Sequence, residues 1–317
     1  LLPKKYCMPA TLPIHFAPLQ GYTDAIYRNA HSAIFGGIDT YYTPFIRLDK
    51  GTFRNRDVRD IEPGTNEVPH LIPQLIGHEE EKVETILSLF TEKGYKEVDI
   101  NMGCPFPMLA KRHNGSGILP FPEEVEKLLE ITQRYPEISF SVKMRLGWEN
   151  AEECLKLTPI LNVYPLKHIT MHPRLGKQQY KGDVDPKGFA AFAEICRHPL
   201  IYNGDISNIE DIERIHDSFP TLSGIMIGRG LLMNPALAIE YKEKKSLSTE
   251  DMKEKLYQMH KIVFARYEER LEGGEDQLLN KMKIFWEYLE PQIGRKVWKA
   301  IHKSTSLAKY NAAIGLL

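Results

Sequence analysis

The feature that most constrains the fold is a regular alternation of short apolar segments with longer amphipathic ones over about the first 235 residues. The apolar segments are rich in Ile, Val, Phe and Tyr, which is typical of strands buried on both faces of a sheet. The sequence predicts eight such strands, at residues 14–19, 40–44, 70–76, 97–101, 140–144, 168–171, 200–203 and 224–227.

The segments between these strands have helical periodicity. Residues 79–93 place Val83, Ile86, Leu87 and Phe90 at helical spacing, and residues 121–135 and 207–219 read similarly. Eight strands alternating with helices predict an α/β fold, a parallel (β/α)8 TIM barrel. An open doubly wound sheet is the alternative, disfavoured because no Gly-x-Gly-x-x-Gly follows the first strand.

Beyond Asn234-Pro235 the strand patterns stop. Residues 248–271 predict a long helix, because Ser248 can cap its first turn and Gly273-Gly274 can end it. Two more helices are predicted at 277–289 and 297–310. We therefore expect a catalytic barrel domain at residues 1–240 and a small all-helical domain at 241–317.

Composition excludes several classes of protein. A formal net charge of -1 argues against nucleic-acid binding by the whole chain, so any basic surface must be local. No apolar run is long enough to cross a bilayer, and no charged-then-apolar leader opens the chain. Four widely spaced cysteines without a C-x-x-C pair predict free thiols, neither a disulfide framework nor a metal site, in a cytoplasmic protein: Cys7, Cys104, Cys154 and Cys196.

Polar and reactive residues concentrate where the predicted strands end, which is where a barrel builds its active site. Seven of the eight strands carry such residues at or near their ends. They are Pro18-Leu19-Gln20-Gly21 for strand one, Gln74 for strand three, Asn101 to Pro105 for strand four, Lys143 and Arg145 for strand five, His172 for strand six, Asn203-Gly204-Asp205 for strand seven and Gly228-Arg229-Gly230 for strand eight.

The last two loops favour phosphate binding, because glycines let backbone N–H groups approach a ligand and an arginine can grip phosphate with two hydrogen bonds. Gly204, Gly228 and Arg229 supply these features, although the glycines could also be ordinary turn residues.

Lys143 lies inside a strand pattern, where a cation is costly without an anionic partner. It could form a Schiff base as in an aldolase, stabilise a reduced flavin, or sit in an inner-barrel salt bridge. Cys104, between Gly103 and Pro105 at the mouth of strand four, is expected in an exposed turn as a reactive thiol. Cys154 and Cys196 are expected to be buried packing residues.

Several of these segments together resemble the tRNA-dihydrouridine synthase family. They are Ala17-Pro18-Leu19-Gln20-Gly21-Tyr22-Thr23-Asp24, Asp99-Ile100-Asn101-Met102-Gly103-Cys104-Pro105, Gly115-Ser116-Gly117, Ser141-Val142-Lys143-Met144-Arg145-Leu146-Gly147, Asn203-Gly204-Asp205-Ile206 and Ile227-Gly228-Arg229-Gly230. The N-x-x-C-P element combined with V-K-x-R-L-G is the specific part, and the resemblance covers most of the chain.

The resemblance implies an FMN-binding barrel followed by a tRNA-binding helical domain. It implies reduction of the uridine C5–C6 double bond in tRNA with NADPH, on a flipped-out uracil, with Cys104 as the acid that protonates C5. By position, it places FMN against Pro18, Leu19, Gln20, Gly21, Gln74, Lys143, His172, Asn203, Gly204, Asp205, Gly228 and Arg229. It places uracil against Asn101, Arg145 and Tyr180.

One loop departs from the family pattern. His172, Arg174, a glutamine, Tyr180 and Gly182 match, but Leu175-Gly176 stand where threonine and arginine are usual. The Cys104 loop is unusual in Phe106-Pro107-Met108, and the Lys111-Arg112 pair after it could touch RNA phosphate or simply be solvated.

A local basic surface is predicted near the C-terminus. Between Pro291 and Tyr310 there is no acidic residue, and Trp298 and His302 are interleaved with the lysines. We expect Arg295, Lys296, Lys299 and Lys303 to contact the tRNA backbone, with Lys281 and Lys283 extending that surface.

Two other functions remain open at this point. A flavin barrel acting on a small molecule, like a dihydroorotate dehydrogenase or an ene-reductase, would keep the strand seven and eight loops and Lys143. A non-catalytic RNA-binding barrel would keep the basic tail. The sequence does not select the target uridine or distinguish NADPH from NADH, and a monomer without an obligate protein partner is the default expectation.

Overall fold

The structure is a computed structural model that describes residues 11–317. Cys7, expected to be a free thiol, lies outside the described residues. Among the residues described, no helix combines the length and the apolar character needed to span a bilayer.

The strands form one parallel sheet that closes on itself. In hydrogen-bonding order its segments are Leu71–Ile72, Thr40–Tyr42, Ile14–Phe16, Gly224–Ile227, Leu200–Asn203, Ile169–Leu175, Ser139–Gly147, Glu97–Met102 and Gln74–Leu75. The first and last segments are separated in the chain only by Pro73, which has no N–H to donate to a neighbouring strand. They are two halves of one strand, so the ring has the eight positions that the sequence predicted. The TIM-barrel prediction is confirmed.

Two strands extend several residues past their predicted ends. The fifth runs over Ser139–Gly147 and the sixth over Ile169–Leu175. In both, inward-facing polar residues alternate with apolar residues that face the helices, as the period of two in a strand requires. The apolar pattern alone ended each strand early, because the polar residues belong to the site inside the barrel.

Helices surround the barrel. The helix Glu80–Glu92 buries the four apolar residues predicted for it, each contributing roughly 1.5–3 kcal/mol through burial. A short hairpin pairs Leu48–Asp49 with Thr52–Phe53. The remaining helices of this region are Ala25–Ile34, Asn55–Asp60, Pro107–Ala110, Pro122–Thr132, Glu152–Leu161, Pro186–Ile195, Ile209–Ser218, Arg229–Met233 and Leu237–Glu243, with 3-10 turns at Pro63–Thr65, Gly115–Ile118 and Gly176–Gln178.

The C-terminal region is helical, as predicted. Its helices are Thr249–Arg270, Gly274–Trp286, Glu290–Ile293, Arg295–Lys303 and Leu307–Ile314. The Ser248 hydroxyl accepts a hydrogen bond from the Asp251 N–H at 3.0 Å, so Ser248 is the predicted cap of the first of them. Gly273 and Gly274 stand at the start of the next helix.

The prediction of one helix over residues 297–310 is wrong. The chain breaks after Lys303, and a new helix begins at Leu307 with Ser306 as its N-cap. Three hydroxyl residues, Ser304, Thr305 and Ser306, separate the two helices. Their side chains compete with the backbone for hydrogen bonds, which favours caps over helix interiors.

The helical region packs directly on the barrel. The Tyr267 hydroxyl lies 2.8 Å from both carboxylate oxygens of Asp24, the N-cap of helix Ala25–Ile34. The Lys281 ammonium donates to the Gly21 carbonyl at 3.0 Å and lies 3.2 Å from Asp24 Oδ2. One apolar core runs through both regions and includes the fully buried Trp286. The first βα loop is therefore held by residues of the C-terminal helices.

Candidate active site

A cavity of about 380 Å³ opens at the carboxyl ends of the barrel strands, a volume within the range of roughly 300–1,000 Å³ that is usual for small-molecule sites. Ala17 and Met226, part of a small apolar cluster separate from the main core, contribute to its lining. Most residues predicted for the site line it: Pro18, Leu19, Gln20, Asn101, Cys104, Lys143, Arg145, His172, Tyr180, Asn203, Gly204, Asp205, Gly228 and Arg229.

Two predicted cofactor residues do not line this cavity. Gln74 is fully buried behind Asn101, whose side-chain amide donates to Gln74 Oε1 at 2.7 Å. Gly21 is exposed in the first βα loop, and its carbonyl accepts a hydrogen bond from the Lys281 ammonium. The structure therefore gives both residues positions from which they support residues that do line the cavity.

The turn that carries Cys104 is held from both sides. Asn101 Oδ1 accepts hydrogen bonds from the N–H groups of Gly103 at 3.0 Å and Cys104 at 2.8 Å. The Cys104 carbonyl accepts from both the backbone N–H and the hydroxyl of Ser116, each at 3.0 Å. At Gly115 the backbone has φ +61°, and a Cβ atom would lie 2.5 Å from the Cys104 carbonyl oxygen, so only glycine fits.

Cys104 is half-buried, not in the exposed turn that the sequence suggested. Burial raises the pKa of its thiol, and the Phe106 backbone N–H and the cations of Arg145, Lys143 and Arg47 oppose that rise. A raised pKa keeps the thiol protonated near neutral pH, which suits a proton donor better than a nucleophile. Of the other two described thiols, Cys154 is buried as expected, but Cys196 is only half-buried.

Lys143 projects from the fifth strand into the cavity. Its ammonium donates to Asn203 Oδ1 at 2.8 Å, and Asn203 Nδ2 donates to the Met226 carbonyl at 2.8 Å. Burial and, to a smaller extent, Arg145 lower the pKa of Lys143 to about 8, while Asp99 and Cys104 act in the opposite direction. Lys143 forms no salt bridge within residues 11–317, so the inner-barrel salt bridge is not the arrangement found. A buried cation held only by a neutral amide is suited to an anionic ligand.

Arg145 connects the two loops that flank the cavity. Its Nε donates to the Gly103 carbonyl at 3.0 Å, and its Nη1 donates to the carbonyls of Leu175 at 2.9 Å and Gln179 at 2.7 Å. Its guanidinium carbon lies 5.5 Å from the centre of the Tyr180 ring. Arg145 thereby holds the Cys104 loop against the loop that carries Tyr180.

Arg174 is a site residue that sequence reasoning did not select. Its guanidinium forms an ion pair with the Asp205 carboxylate, with Nη1 at 3.0 Å from Oδ1, and hydrogen-bonds to His172 Nε2 at 3.1 Å. The available signal was the strand period of two, because Arg174 follows His172 by two residues and shares its inward face. Burial lowers the pKa of His172 well below its usual value, and nearby cations lower it further, so the ring is neutral. Because Arg174 can only donate, Nε2 accepts and the proton is assigned to Nδ1.

The cavity carries an excess of positive charge. The Arg229 guanidinium carbon lies 4.7 Å from the Tyr180 ring centre, and its Nη2 lies 3.4 Å from Asp205 Oδ1. The cavity lining includes three cations, Lys143, Arg145 and Arg229. Among the described residues, Asp205 is the one carboxylate in that lining. Since that carboxylate is already paired with Arg174, the lining favours a ligand that brings negative charge.

Tyr288 is another residue that sequence reasoning missed. It lines the cavity although it comes from the C-terminal region, and its ring packs edge-on against Tyr22 at 5.5 Å. The neighbouring Glu287 accepts a hydrogen bond from the Tyr22 hydroxyl at 2.9 Å. No local pattern could have found Tyr288, because the packing of the C-terminal helices on the barrel brings it to the site.

The predicted basic surface is one face of helix Arg295–Lys303, away from the cavity lining. Arg295, Lys296, Lys299 and Lys303 are all exposed there, while Val297 and Ile301 face the core. The helix is anchored beside the cavity wall, because the Trp298 indole N–H donates to the carbonyls of Trp286 at 3.0 Å and Glu287 at 3.2 Å.

Four residues expected to belong to that surface have other partners. Lys281 is bound to the first βα loop, and Lys283 donates to the Ser304 carbonyl at 2.6 Å, so neither extends the surface. Trp298 and His302 are half-buried and contact each other, with ring centres 4.2 Å apart. The sequence showed the spacing of Trp298 and His302 but not that this side of the helix packs against the rest of the protein.

Known proteins resemble this chain in sequence and in fold. The profile of the family described as dihydrouridine synthase (Dus) matches residues 15–313. The chain is 27% identical over 231 residues to tRNA-dihydrouridine synthase B of Pasteurella multocida, covering 71% of this chain and 67% of that protein. It is 29% identical over 235 residues to a tRNA-dihydrouridine(16) synthase of Pseudomonas syringae pv. tomato, covering 72% and 74%.

Among solved structures, the fold is similar to that of morphinone reductase, with a TM-score of 0.51 at 12% identity over 76% of this chain and 88% of that one. At that identity the likeness concerns the barrel alone. The family profile extends over the barrel strands, the cavity residues and most of the C-terminal helices. The chain belongs to the dihydrouridine synthase family and is an oxidoreductase of that family.

Proposed function

We propose that the cavity binds FMN and one extruded uracil, and that the chain reduces the C5–C6 double bond of uridine in tRNA with NADPH as the electron donor. A single observation carries the proposal: Cys104, a thiol whose pKa is raised by burial, and Lys143, which has no carboxylate partner within residues 11–317, line the same cavity of the barrel. The first is suited to protonate carbon, and the second to hold an electron-rich ring.

The lining fits FMN. Lys143, His172 and Asn203 would hold the ring system, and Gly204, Asp205, Gly228 and Arg229 the ribityl phosphate end. Pro18, Leu19 and Gln20 would form the wall against the ring, with Gly21 and Gln74 behind that wall. Bound and reduced, the flavin supplies the hydride that C6 of uracil receives.

The protein residues would bind the uracil and supply its proton. Asn101, Arg145 and Tyr180 line the cavity together with Cys104 and would hold the base, and Tyr180 is exposed. Cys104 would give the proton of its Sγ–H bond to C5 and be left as a thiolate; with the hydride at C6, the ring would gain two hydrogens. A base can reach this enclosed position only when it leaves its stack.

The C-terminal region, residues 241–317, would position the tRNA, and residues 1–240 would form the catalytic domain. Helix Leu237–Glu243 spans the proposed boundary. Arg295, Lys296, Lys299 and Lys303 would contact phosphates, which sets orientation and not base identity. The cytoplasmic location, the monomeric state and the preference for NADPH stay predictions.

Two measurements test this function. The absorption spectrum of the purified protein should show flavin bands, and their absence would contradict the cofactor assignment. With NADPH, the protein should form dihydrouridine in unmodified tRNA and should leave free uracil and simple enones unreduced. Turnover of a small substrate with none on tRNA would overturn the RNA assignment and favour a small-molecule reductase. Mapping dihydrouridine in tRNA from cells lacking the protein would identify the target position.

A further inference from the structure

Behind the cavity, a buried chain of polar side chains leads from the barrel interior to the Cys104 turn. Asp99 is fully buried on the fourth strand, beside Gln74 on the third and Ser141 on the fifth. Its Oδ1 accepts from the Ser141 hydroxyl at 2.6 Å, and its Oδ2 accepts from Gln74 Nε2 at 2.7 Å. The roles given above to cofactor and substrate residues do not use Asp99.

Each link in this chain determines the orientation of the next. Asn101 Oδ1 accepts from two backbone N–H groups of the Cys104 turn, so its Nδ2 must donate elsewhere, and it donates to Gln74 Oε1. Because Gln74 Oε1 already accepts from Asn101, Gln74 Nε2 needs an acceptor of its own. The Asp99 carboxylate supplies it, and an ionised carboxylate can only accept hydrogen bonds. If the Gln74 or Asn101 amide were reversed, two N–H donors would face each other at one end of that amide and two oxygens at the other.

We propose that Asp99 is a positioning residue that acts through the Gln74 and Asn101 amides to set the turn presenting the Cys104 thiol to the cavity. Its place in catalysis rests on the proposed function, but its effect on the turn does not. In the reaction, the turn determines whether the Cys104 proton is aligned with C5 of the base.

Simple packing is a weaker account of the same residues. A buried carboxylate is costly, and burial raises the pKa of Asp99 to about 6 even though Ser141, Gln74 and Lys143 favour its ionised form. An apolar residue would fill the space without that cost. The carboxylate is explained by its role as the acceptor that fixes the orientation of the Gln74 amide.

A reciprocal exchange of side chains tests the proposal. In Gln74→Glu the residue loses the donor that binds Asp99 and places a second carboxylate beside it. At pH 8 the two carboxylates should repel each other, so the side chain at position 74 is no longer held in place as the acceptor for the Asn101 amide. In Asp99→Asn the oxygen of the new amide can still accept from Gln74, while the nitrogen of that amide donates to Ser141. The double variant Asp99→Asn with Gln74→Glu rebuilds the bond in the opposite direction, and an oxygen of the introduced glutamate again accepts from Asn101. It also keeps the single carboxylate of the wild type.

The readout is the alkylation rate of Cys104 by iodoacetamide in the flavin-bound protein, followed by peptide mass spectrometry, with Cys196 of the same molecule as an internal control. We expect about a tenfold faster alkylation of Cys104 in Gln74→Glu because its turn loosens, and a return to within about twofold of wild type in the double variant. Asp99→Asn alone should stay close to wild type. Cys196 should react equally in all four proteins.

Activity on tRNA provides a second readout. The single variant Gln74→Glu should lower kcat more than it changes KM, and the double variant should restore kcat. If Gln74→Glu does not fold, the free energy of unfolding of the double variant becomes the readout. A double variant that folds would then show that the restored hydrogen bond rescues the single change. A double variant no better than Gln74→Glu in both alkylation and folding would overturn the proposal. Wild-type activity on tRNA in the same assay separates that outcome from failure of the proposed function.

Discussion

At the scale of single residues, the proposed reaction depends on a thiol that keeps its proton. Burial raises the pKa of Cys104, although three cations lie near enough to oppose it. A thiol activated as a nucleophile would show the opposite shift. The structure therefore separates two roles that the motif around Cys104 leaves open, and it favours proton donation.

Replacing this thiol tests that role. Cys104→Ala should retain flavin but lower the rate of dihydrouridine formation on tRNA by roughly 100-fold or more, since general acid catalysis contributes that much. The flavin spectrum and single-turnover oxidation of reduced enzyme by tRNA measure the two properties separately. Cys196→Ala, a change at another half-buried thiol, is the control and should react like wild type. Undiminished turnover in Cys104→Ala would contradict the assignment.

Gly176 is a second residue whose identity matters, and it stands where the family usually has arginine. A Cβ atom there would clash with the Trp148 ring and lie 2.6 Å from Ser116 Oγ, which holds the Cys104 carbonyl. Gly176→Ala should lower the free energy of unfolding by about 1–3 kcal/mol through overpacking. It should also reduce activity, because Ser116 is displaced.

The matched control for this change is Gly64→Ala. No atom lies within 4 Å of a Cβ built at Gly64, and its φ is outside the left-handed region. Chemical denaturation of both variants measures the difference. Equal stabilities would show that Trp148 moves aside at little cost.

At the scale of secondary-structure elements, the helix Arg295–Lys303 divides its two faces between the core and solvent. Lys299→Glu combined with Lys303→Glu should weaken tRNA binding and reduce the slope of log affinity against log salt by about 2, one for each lost phosphate contact. Fluorescence anisotropy with labelled tRNA at several salt concentrations measures both quantities. The flavin spectrum should be unchanged, since neither lysine lines the cavity.

A pair with the same change in charge provides the control for that helix. Lys244→Glu with Lys245→Glu alters two exposed lysines outside it and should preserve most of the salt slope. A similar loss in both pairs would mean that net charge matters and that the Arg295–Lys303 face is not the binding surface.

At the scale of the whole molecule, buried histidines near the amino ends of the strands should limit stability in acid. Tyr42 contacts both His15, with its hydroxyl 3.1 Å from Nδ1, and His168, 3.2 Å from Nε2. Burial, with a smaller contribution from Lys167, lowers the pKa of His15 to about 3 and that of His168 to about 4, although Glu97 opposes the shift at His168. In the unfolded chain both bind protons near pH 6.5, so their contribution to stability is present above that pH and is lost as the pH falls toward 4.

His15→Gln with His168→Gln should therefore flatten the pH dependence of unfolding. Between pH 6 and pH 5, wild type should lose about 2 kcal/mol more than the double variant, which retains polar partners for Tyr42. Urea unfolding at the two pH values measures the difference. Parallel stability curves would contradict neutral burial of these histidines.

Local sequence patterns determined much of the architecture. Apolar runs with turn signals predicted all eight barrel strands, and the capping residue Ser248 with the glycines after residue 271 predicted the long C-terminal helix. The reason is that a strand buried on both faces and an amphipathic helix each reveal their environment in their own residues. The apolar pattern wrongly predicted one helix over residues 297–310, because it does not account for the hydroxyl side chains of Ser304 to Ser306, which favour a break and a new N-cap.

The site was predictable where chemistry follows a strand end. Cys104, Lys143, Asn203 and Arg229 were all selected in this way, and the cavity brings them together. Only the tertiary structure decided the rest. It turned Lys281 toward Gly21, placed Tyr288 in the cavity wall, paired Arg174 with Asp205, and buried Asp99 behind the Cys104 turn. These partners are distant in the chain, so their contacts arise from barrel closure and helix packing, and no local spacing encodes them.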